Sequence, residues 1–145
     1  MSLLSAVHAV QARELLTAGG FERGAAGWEP WHCKGAGAQG VSYSSSKDTR
    51  PGSAGKRSLQ IETSKSFMCT NWLRRSVYGV EGGKKYRVSI WYKIVAGGGP
   101  DGPLNNMIAR DLKNDTNQDR NDQQLDMSVD GEWKHTTVDF TAEAS

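Results

Sequence analysis

The chain has 145 residues, of which 37% are hydrophobic and 23% charged, and its formal net charge is +2. This length is typical of one domain and excludes a large multidomain enzyme. No apolar run approaches the roughly 18 residues of a membrane-spanning helix, so a transporter and a membrane partner are not expected. The small net charge gives no reason to expect nucleic acid as a partner.

The N-terminus differs from the rest of the chain. Residues Met1–Ala12 are small and mostly apolar and end in Val-Gln-Ala, as a signal peptide does before its cleavage site. The alternative is a short helix with its leucines and valines on one face. We expect residues 1–13 to be a leader or signal remnant, residues 14–145 to form the domain, and the protein to be secreted.

The two cysteines, Cys33 and Cys69, do not form a CxxC motif, so a structural zinc site is not expected. In a secreted protein they could form one disulfide, and otherwise they are two buried thiols. The sequence leaves both alternatives open.

The first half of the domain contains one clear strand between polar segments. The residues Ser58–Thr63 alternate, with Leu59 and Ile61 on one face, which predicts a strand with those two residues in the core. Residues 35–40 are rich in Gly and Ala and predict a loop. Ser42–Gly55 is rich in Ser, Gly and Pro and predicts a second loop or a poorly paired edge.

The strongest strand pattern runs from Lys85 to Val95. It follows a Gly-Gly turn and alternates over five repeats of β-branched and aromatic residues. We expect the segment to lie in the interior of a sheet, because one whole face is apolar and the segment has no Pro. The core face is predicted to carry Tyr86, Val88, Ile90, Tyr92 and Ile94. The other face carries Arg87, Ser89, Trp91, Lys93 and Val95.

The last third continues the pattern of short strands and turns. We predict strands at Asn106–Leu112, Gln124–Val129 and Trp133–Thr141, with a polar loop at Asn114–Gln124. Phe140 is expected in the core. Because no amphipathic helix longer than about ten residues follows position 13, the chain predicts an all-β antiparallel sandwich or jelly roll.

Charge is distributed unevenly along the chain. Residues 47–87 contain ten basic and three acidic residues, whereas residues 101–145 contain ten acidic and four basic ones. The two segments could neutralise each other across paired strands. Alternatively, the basic segment forms a surface that favours acidic glycans or another acidic ligand, with an attraction that weakens as salt rises.

Five motifs follow one another in a specific order along the chain. They are Leu15-Leu16-x-x-Gly19-Gly20-Phe21-Glu22, then Gly27-Trp28, then Gly55-x-x-Ser58-Leu59-x-Ile61, then the run from Gly83 to Lys93, and last Gly131-Glu132-Trp133-Lys134 with Val138-x-Phe140. This order resembles the carbohydrate-binding modules of families 4, 9 and 22, over about residues 14–142. The resemblance implies a jelly roll of the galactose-binding type.

The resemblance also implies a final strand that this sequence does not contain before Ser145. We therefore expect the domain to be incomplete at its C-terminus. The strand would lie beside the first one, so its absence would expose an edge near Leu15 and Leu16. An exposed edge is a pairing surface, and it predicts an edge-strand dimer.

A sugar-binding module needs exposed aromatic rings flanked by polar side chains, because a sugar has C–H bonds on one face and hydroxyls at its rim. Trp72 lies between polar and basic residues and aligns with a tryptophan that stacks on xylan in family-22 modules. Trp91 lies on the face of its strand opposite the core. Arg74, Arg75 and Arg87 are expected to bind hydroxyls or uronates. The alternative is that both tryptophans are structural and the arginines are ordinary solvated charges.

The sequence contains two candidate calcium sites. Glu22 resembles a position that binds a structural calcium in these modules, although the resemblance places the second carboxylate on the missing strand. The spacing Asp115-x-Asn117-x-Asp119-x-Asn121, with Asp126 at position twelve, fits an EF-hand loop, but Arg120 replaces the required Gly. A polar loop explains this second segment better.

The sequence contains no GxSxG, HExxH or phosphate-binding motif, so the domain is not expected to be an enzyme. The favoured interpretation is a non-catalytic module that binds a β-linked plant-type polysaccharide, xylan or β-glucan, within a secreted glycan-degrading enzyme. The alternative is a galactose-binding-like adhesion or structural domain without a sugar site, since many functions share this fold.

Overall fold

The structure is a computed structural model that describes residues 15–16, 20–32, 41–63, 71–96, 106–110 and 120–143. In these ranges every regular element is a strand, and each strand pairs with its neighbour in the antiparallel direction. The predicted all-β class is therefore confirmed, and the arrangement is consistent with a β-sandwich. The strands are β1 (Glu29–His32), β2 (Val41–Ser46), β3 (Ser58–Thr63), β4 (Asn71–Arg74), β5 (Lys85–Tyr92), β6 (Asn106–Arg110), β7 (Arg120–Gln124) and β8 (Lys134–Thr141). No helix long and apolar enough to cross a membrane occurs in the described part of the chain.

The strands form four pairs, namely β1 with β4, β2 with β3, β5 with β8, and β6 with β7. The β5–β8 pair is the longest, with eight residues in each strand. Both β6 and β7 also contact β8. Among the described residues β5 has β8 as its hydrogen-bonded neighbour on one edge, whereas the sequence predicted a strand inside a sheet.

One face of the β5–β8 pair forms the core, as the alternation predicts. Tyr86 stacks on Phe140 across the pair at a centroid distance of 5.7 Å. Val88 lies opposite Val138, which is 6% exposed and is one of the most buried side chains of the described residues. The core-facing residues of β5 are half-buried and alternate with exposed ones, so the predicted orientation of this strand is confirmed.

Backbone hydrogen bonds extend the β5–β8 pairing beyond both strand ends. The N–H of Gly83 donates to the carbonyl of Ala142 (2.8 Å), and the N–H of Ala142 donates to Lys84 (2.9 Å). Gly83 has a φ of 76°, a conformation that glycine adopts without strain, and it closes the turn before β5. At the other end Gly131 donates to Ile94 at 3.2 Å, although regular strand structure stops at Tyr92.

The core prediction fails at Ile61, which is 53% exposed. Ile61 and Leu59 share one face of β3, as predicted, and Leu59 is half-buried. A period of two identifies the residues that share a face, but the packing of other elements decides how far that face is covered. On this face other residues partly cover Leu59, whereas Ile61 remains exposed to solvent.

Two polar segments contain strands, although the sequence predicted a loop or a poorly paired edge for Ser42–Gly55 and a polar loop for Asn114–Gln124. Val41–Ser46 is β2 and pairs with β3 along six residues, although the serines gave it the composition of a loop. Arg120–Gln124 is β7, paired with β6. In both cases backbone pairing with a neighbouring strand outweighs low intrinsic strand propensity.

The predicted strand Gln124–Val129 is also wrong, because residues 125–129 are irregular. The Asp126 carboxylate accepts hydrogen bonds from both the N–H (2.9 Å) and the hydroxyl (2.5 Å) of Ser128. Such local side-chain bonds compete with strand pairing for the backbone N–H. The neighbouring predicted strands are confirmed as β6 and β8, and β8 begins one residue later than predicted.

Several predictions concern residues outside the described ranges. They are the leader at residues 1–13, the pairing of Cys33 and Cys69, the loop at residues 35–40, and residues 115–119 of the EF-hand-like segment.

Candidate functional site

The outward face of the β5–β8 pair carries polar and aromatic side chains in three rows. The register sets Arg87 opposite Asp139, Ser89 opposite Thr137, and Trp91 opposite His135. Since alternate residues of a strand share a face, all six lie on the side opposite the core. We call these six residues the outward face. It combines an ion pair, two hydroxyls and an aromatic pair within one antiparallel ribbon.

Trp91 is the largest exposed apolar group of the outward face. Its side chain stacks on the His135 imidazole, with ring centroids 4.6 Å apart and an angle of 26° between the planes. The residue nevertheless remains 45% exposed. The contact with His135 restricts the rotamers of the indole, so part of a fixed ring faces the solvent. The predicted exposure of Trp91 is thus what the structure shows.

Arg50 completes the surroundings of this indole. Its guanidinium carbon lies 4.9 Å from the centroid of the Trp91 ring, within the range of a cation–π contact. The same guanidinium donates one hydrogen bond, at 3.3 Å, to the carbonyl of Pro51. Arg50 belongs to the segment between β2 and β3, which therefore reaches the end of β5 where Trp91 lies.

An ion pair connects the segment between β2 and β3 to the end of β5. The ammonium of Lys93 binds the carboxylate of Asp48, and its side chain is only 17% exposed. Lys93 also lies 5.3 Å from the centroid of the Trp133 ring. These contacts hold the backbone two residues before Arg50, which explains how a polar loop keeps a fixed position beside the indole.

At the other end of the outward face, Arg87 and Asp139 form a bidentate ion pair. The two hydrogen bonds measure 2.6 and 2.8 Å, and the side chains are 67% and 61% exposed. The hydrogen bond from Arg87 lowers the pKa of the Asp139 carboxyl, and the same bond raises the pKa of Arg87. This pair joins the basic and acidic segments, so the predicted neutralisation across strands occurs at this position.

The other predicted arginines lie on a different strand pair. Arg74 ends β4 opposite Glu29 of β1, and its Nε lies 3.3 Å from the Glu29 carboxylate. Arg75 donates a hydrogen bond of 2.6 Å to the carbonyl of Gly27. Trp72 lies in β4 opposite Trp31, and the positions of those two side chains are outside the described part of the structure. Of the predicted site residues, the structure thus brings Arg87 and Trp91 together on one face.

The carboxylate of Glu22 connects two segments of backbone. Its Oε1 accepts hydrogen bonds from the N–H groups of Lys56 (2.7 Å) and Arg57 (3.1 Å). Beside it, Phe21 has a φ of 54° and stacks on the half-buried Trp28 at 5.2 Å, which supports a structural role for that tryptophan. We call the contacts of the Glu22 carboxylate with the N–H groups of Lys56 and Arg57 the Glu22 clasp.

The described contacts of the Glu22 clasp do not by themselves form a calcium site. Calcium requires six to eight oxygen ligands, whereas Oε1 faces two N–H donors. No group of three or more His, Cys, Asp or Glu side chains converges anywhere in the described ranges. Calcium binding through Glu22 therefore stays a prediction from the sequence.

An acidic cluster surrounds Lys134 on the opposite side of β8. The ammonium of Lys134 lies 3.1 Å from Asp126 and 2.9 Å from Asp130. The Ser128 hydroxyl and N–H, followed by Lys134, lower the pKa of Asp126 to about 2. Since Lys134 and His135 are adjacent in β8, their side chains point to opposite faces. The cluster thus does not belong to the outward face.

Sequence reasoning did not identify Ser89, Arg50, His135, Thr137 and Asp139 as site residues. The last three alternate on one side of β8, a pattern that is visible in the sequence. The sequence does not show that β8 pairs with β5, or in which register. Arg50 follows no period at all, and its place over Trp91 depends on the course of a loop.

The family comparison agrees with this geometry. The model of the family described as "Carbohydrate binding domain" (CBM_4_9) matches residues 13–145. Neither the curated proteins nor the solved structures include a significant match to the chain. The match covers most of the sequence, so the chain belongs to this family of carbohydrate-binding domains. Domains of this family bind carbohydrate and are non-catalytic, as the sequence analysis expected of this domain.

Proposed function

We propose that this carbohydrate-binding domain binds a β-linked plant-type polysaccharide, xylan or β-glucan, along the outward face of the β5–β8 pair. We further propose that it serves as an accessory module of a secreted glycan-degrading enzyme. The observation that carries the proposal is the exposure of Trp91, 45% of which faces solvent beside polar side chains. Membership in the family supplies the ligand class, and the outward face supplies a candidate location.

The outward face has the groups that a β-linked chain requires. The part of the indole that His135 and Arg50 leave accessible can contact the C–H bonds of one pyranose ring. The hydroxyls of Ser89 and Thr137 and the Arg87–Asp139 pair can then bind sugar hydroxyls as donors and acceptors. Trp91 and Arg87 are four residues apart in an extended strand, which places them roughly 13 Å apart. This length suits a short stretch of a linear glycan.

The competing function is adhesion or architecture without a sugar site. That function would not require an exposed indole within a polar face, whereas stacking on a sugar ring does. His135 holds the Trp91 ring before any ligand binds, which lowers the entropic cost of stacking. Both observations support sugar binding on this face.

A panel of polysaccharides tests the proposal. The purified domain should sediment with insoluble xylan or cellulose, or be retarded in gels that contain soluble xylan or mixed-linkage β-glucan. Starch is the matched control, because its α-linked chain coils and does not present a flat ribbon. Binding to starch and to no β-linked glycan would contradict the proposed ligand class.

The remaining parts of the proposal concern partners and location. We propose Trp72 as a second stacking residue, with Arg74 and Arg75 nearby in sequence. We also propose that the protein is secreted and that it has no nucleic-acid or membrane partner. We propose an edge-strand dimer near Leu15 and Leu16. Analytical ultracentrifugation at several protein concentrations tests the dimer.

A further inference from the structure

The cations close to the exposed indole differ in whether a carboxylate neutralises them. Arg87 is paired with Asp139, and Lys93 is paired with Asp48. Arg50 has no carboxylate of the described residues within ion-pair distance, and its contacts are the indole and one backbone carbonyl. Arg50 therefore gives this end of the outward face a positive charge that the described residues do not balance.

The guanidinium of Arg50 has unused donors in a suitable place. A guanidinium carries five N–H groups in one plane, and among the described residues Arg50 uses one of them, toward Pro51. Its carbon lies 4.9 Å from the centre of the Trp91 ring, and Arg50 is half-buried. A ligand group that contacts the exposed indole thus comes within reach of a fixed, planar fork of donors, the geometry that binds a carboxylate through two bonds.

We propose that Arg50 and Trp91 together form a subsite for a uronic acid, so that the domain prefers glycans that carry carboxylates. The indole contacts the sugar ring, and the Arg50 guanidinium binds the C6 carboxylate. This inference rests on the proposed glycan-binding function and adds the specificity-determining residue. The inference assigns the preference for acidic glycans to Arg50 and not to Arg74, Arg75 and Arg87. Arg74 pairs with Glu29, Arg75 donates to the carbonyl of Gly27, and Arg87 pairs with Asp139.

Glucuronoxylan and the same polymer after chemical reduction of its carboxyl groups provide a matched pair of ligands. The two differ only in the uronate, since reduction converts it to a neutral hexose. At low salt we expect the wild-type domain to bind the acidic polymer about tenfold more tightly than the reduced one, the effect of one charge-assisted contact. The ratio should fall as NaCl is added, because salt screens exposed charges.

Three variants test whether Arg50 causes this preference. Arg50→Gln should reduce the ratio to about one and leave the affinity for the reduced polymer within about twofold of wild type. Arg50→Lys keeps the charge without the fork and should give an intermediate ratio. Arg57→Gln is the matched control, because it removes one charge from an exposed side chain that, among the described residues, donates a hydrogen bond of 3.4 Å to the Ser45 hydroxyl. This control should keep the wild-type ratio.

The outcomes separate the two claims. If wild type binds both polymers equally and Trp91→Ala weakens both, glycan binding stands and the uronate subsite is overturned. The subsite is overturned as well if Arg50→Gln, with its fold verified by circular dichroism, keeps the wild-type ratio. If the wild-type domain binds neither polymer nor any other β-linked glycan, the proposed function fails and the subsite fails with it.

Discussion

Replacement of Trp91 by Ala tests the candidate site most directly, and its effect can be worked out from the exposure of the residue. A tryptophan offers up to about 250 Å² for burial, so the 45% that is exposed corresponds to about 110 Å². At about 25 cal/mol per Å², complete cover would contribute about 2.8 kcal/mol. A sugar ring that covers half of this area contributes about 1.4 kcal/mol, which is a tenfold change in Kd.

Isothermal titration with xylohexaose and cellohexaose measures this change. We expect Trp91→Ala to weaken binding of the preferred oligosaccharide about tenfold, and Trp91→Phe to lose less because a ring remains. The Ala variant also loses the stack on His135 and the area that the buried part of the indole covers, so its free energy of unfolding should fall by about 3 kcal/mol. Titrations must therefore be made well below the Tm of each variant.

Tyr78 provides the matched control for this experiment. It is 85% exposed and lies in the irregular segment after β4, so it offers a solvent-facing aromatic ring that does not belong to the outward face. Tyr78→Ala should leave the affinity unchanged. Unchanged affinity in a folded Trp91→Ala variant would refute the assignment of the site. Trp72→Ala then shows whether the second predicted tryptophan binds the glycan instead.

Four further predictions concern stability. Asp126 has a pKa lowered to about 2 in the folded state. Its stabilising contribution is therefore complete above its unfolded pKa of about 4 and is lost as the pH falls to 2. The difference in the free energy of urea unfolding between wild type and Asp126→Asn should shrink across that window. Val138→Ala removes buried carbon and should lower the free energy of unfolding by about 2 kcal/mol, whereas Ile61→Ala, at an exposed position, should change it by less than about 0.5 kcal/mol. Glu22→Ala should cost about 1 kcal/mol in the same assay through loss of the Glu22 clasp. A rise in Tm with CaCl₂ that Glu22→Gln lacks would confirm the calcium prediction, and equal Tm values in CaCl₂ and EDTA would contradict it.

The predictions that succeeded depend on local periodicity. The orientation of β5 follows from five alternating repeats, and Trp91 lies on its polar side for that reason alone. The same logic gave the bounds of β3 and nearly those of β8. The predictions failed where strand pairing or local side-chain hydrogen bonds outweigh what the residue composition indicates. Examples are the serine-rich β2 and the irregular turn at Asp126.

The parts of the candidate site that escaped prediction are non-local. Stacking of His135 on Trp91 requires a particular register between two strands that are distant in the sequence, and no residue pattern specifies that register. Arg50 reaches the indole through a loop that the Lys93–Asp48 pair fastens. Sequence analysis therefore identified the aromatic residue and missed the charge beside it.

The pairing of distant strands also governs when the outward face can form. Its ion pair joins residues 52 positions apart, and the β1–β4 pair closes a loop of 45 positions. Contacts of such long range require a large loop to close before they contribute, so they slow folding relative to local hairpins. During synthesis Trp91 emerges long before His135, and the indole has no stacking partner until β8 has been made. In refolding experiments the fluorescence change of Trp91 should therefore accompany the docking of β8 and follow the closure of the β2–β3 hairpin.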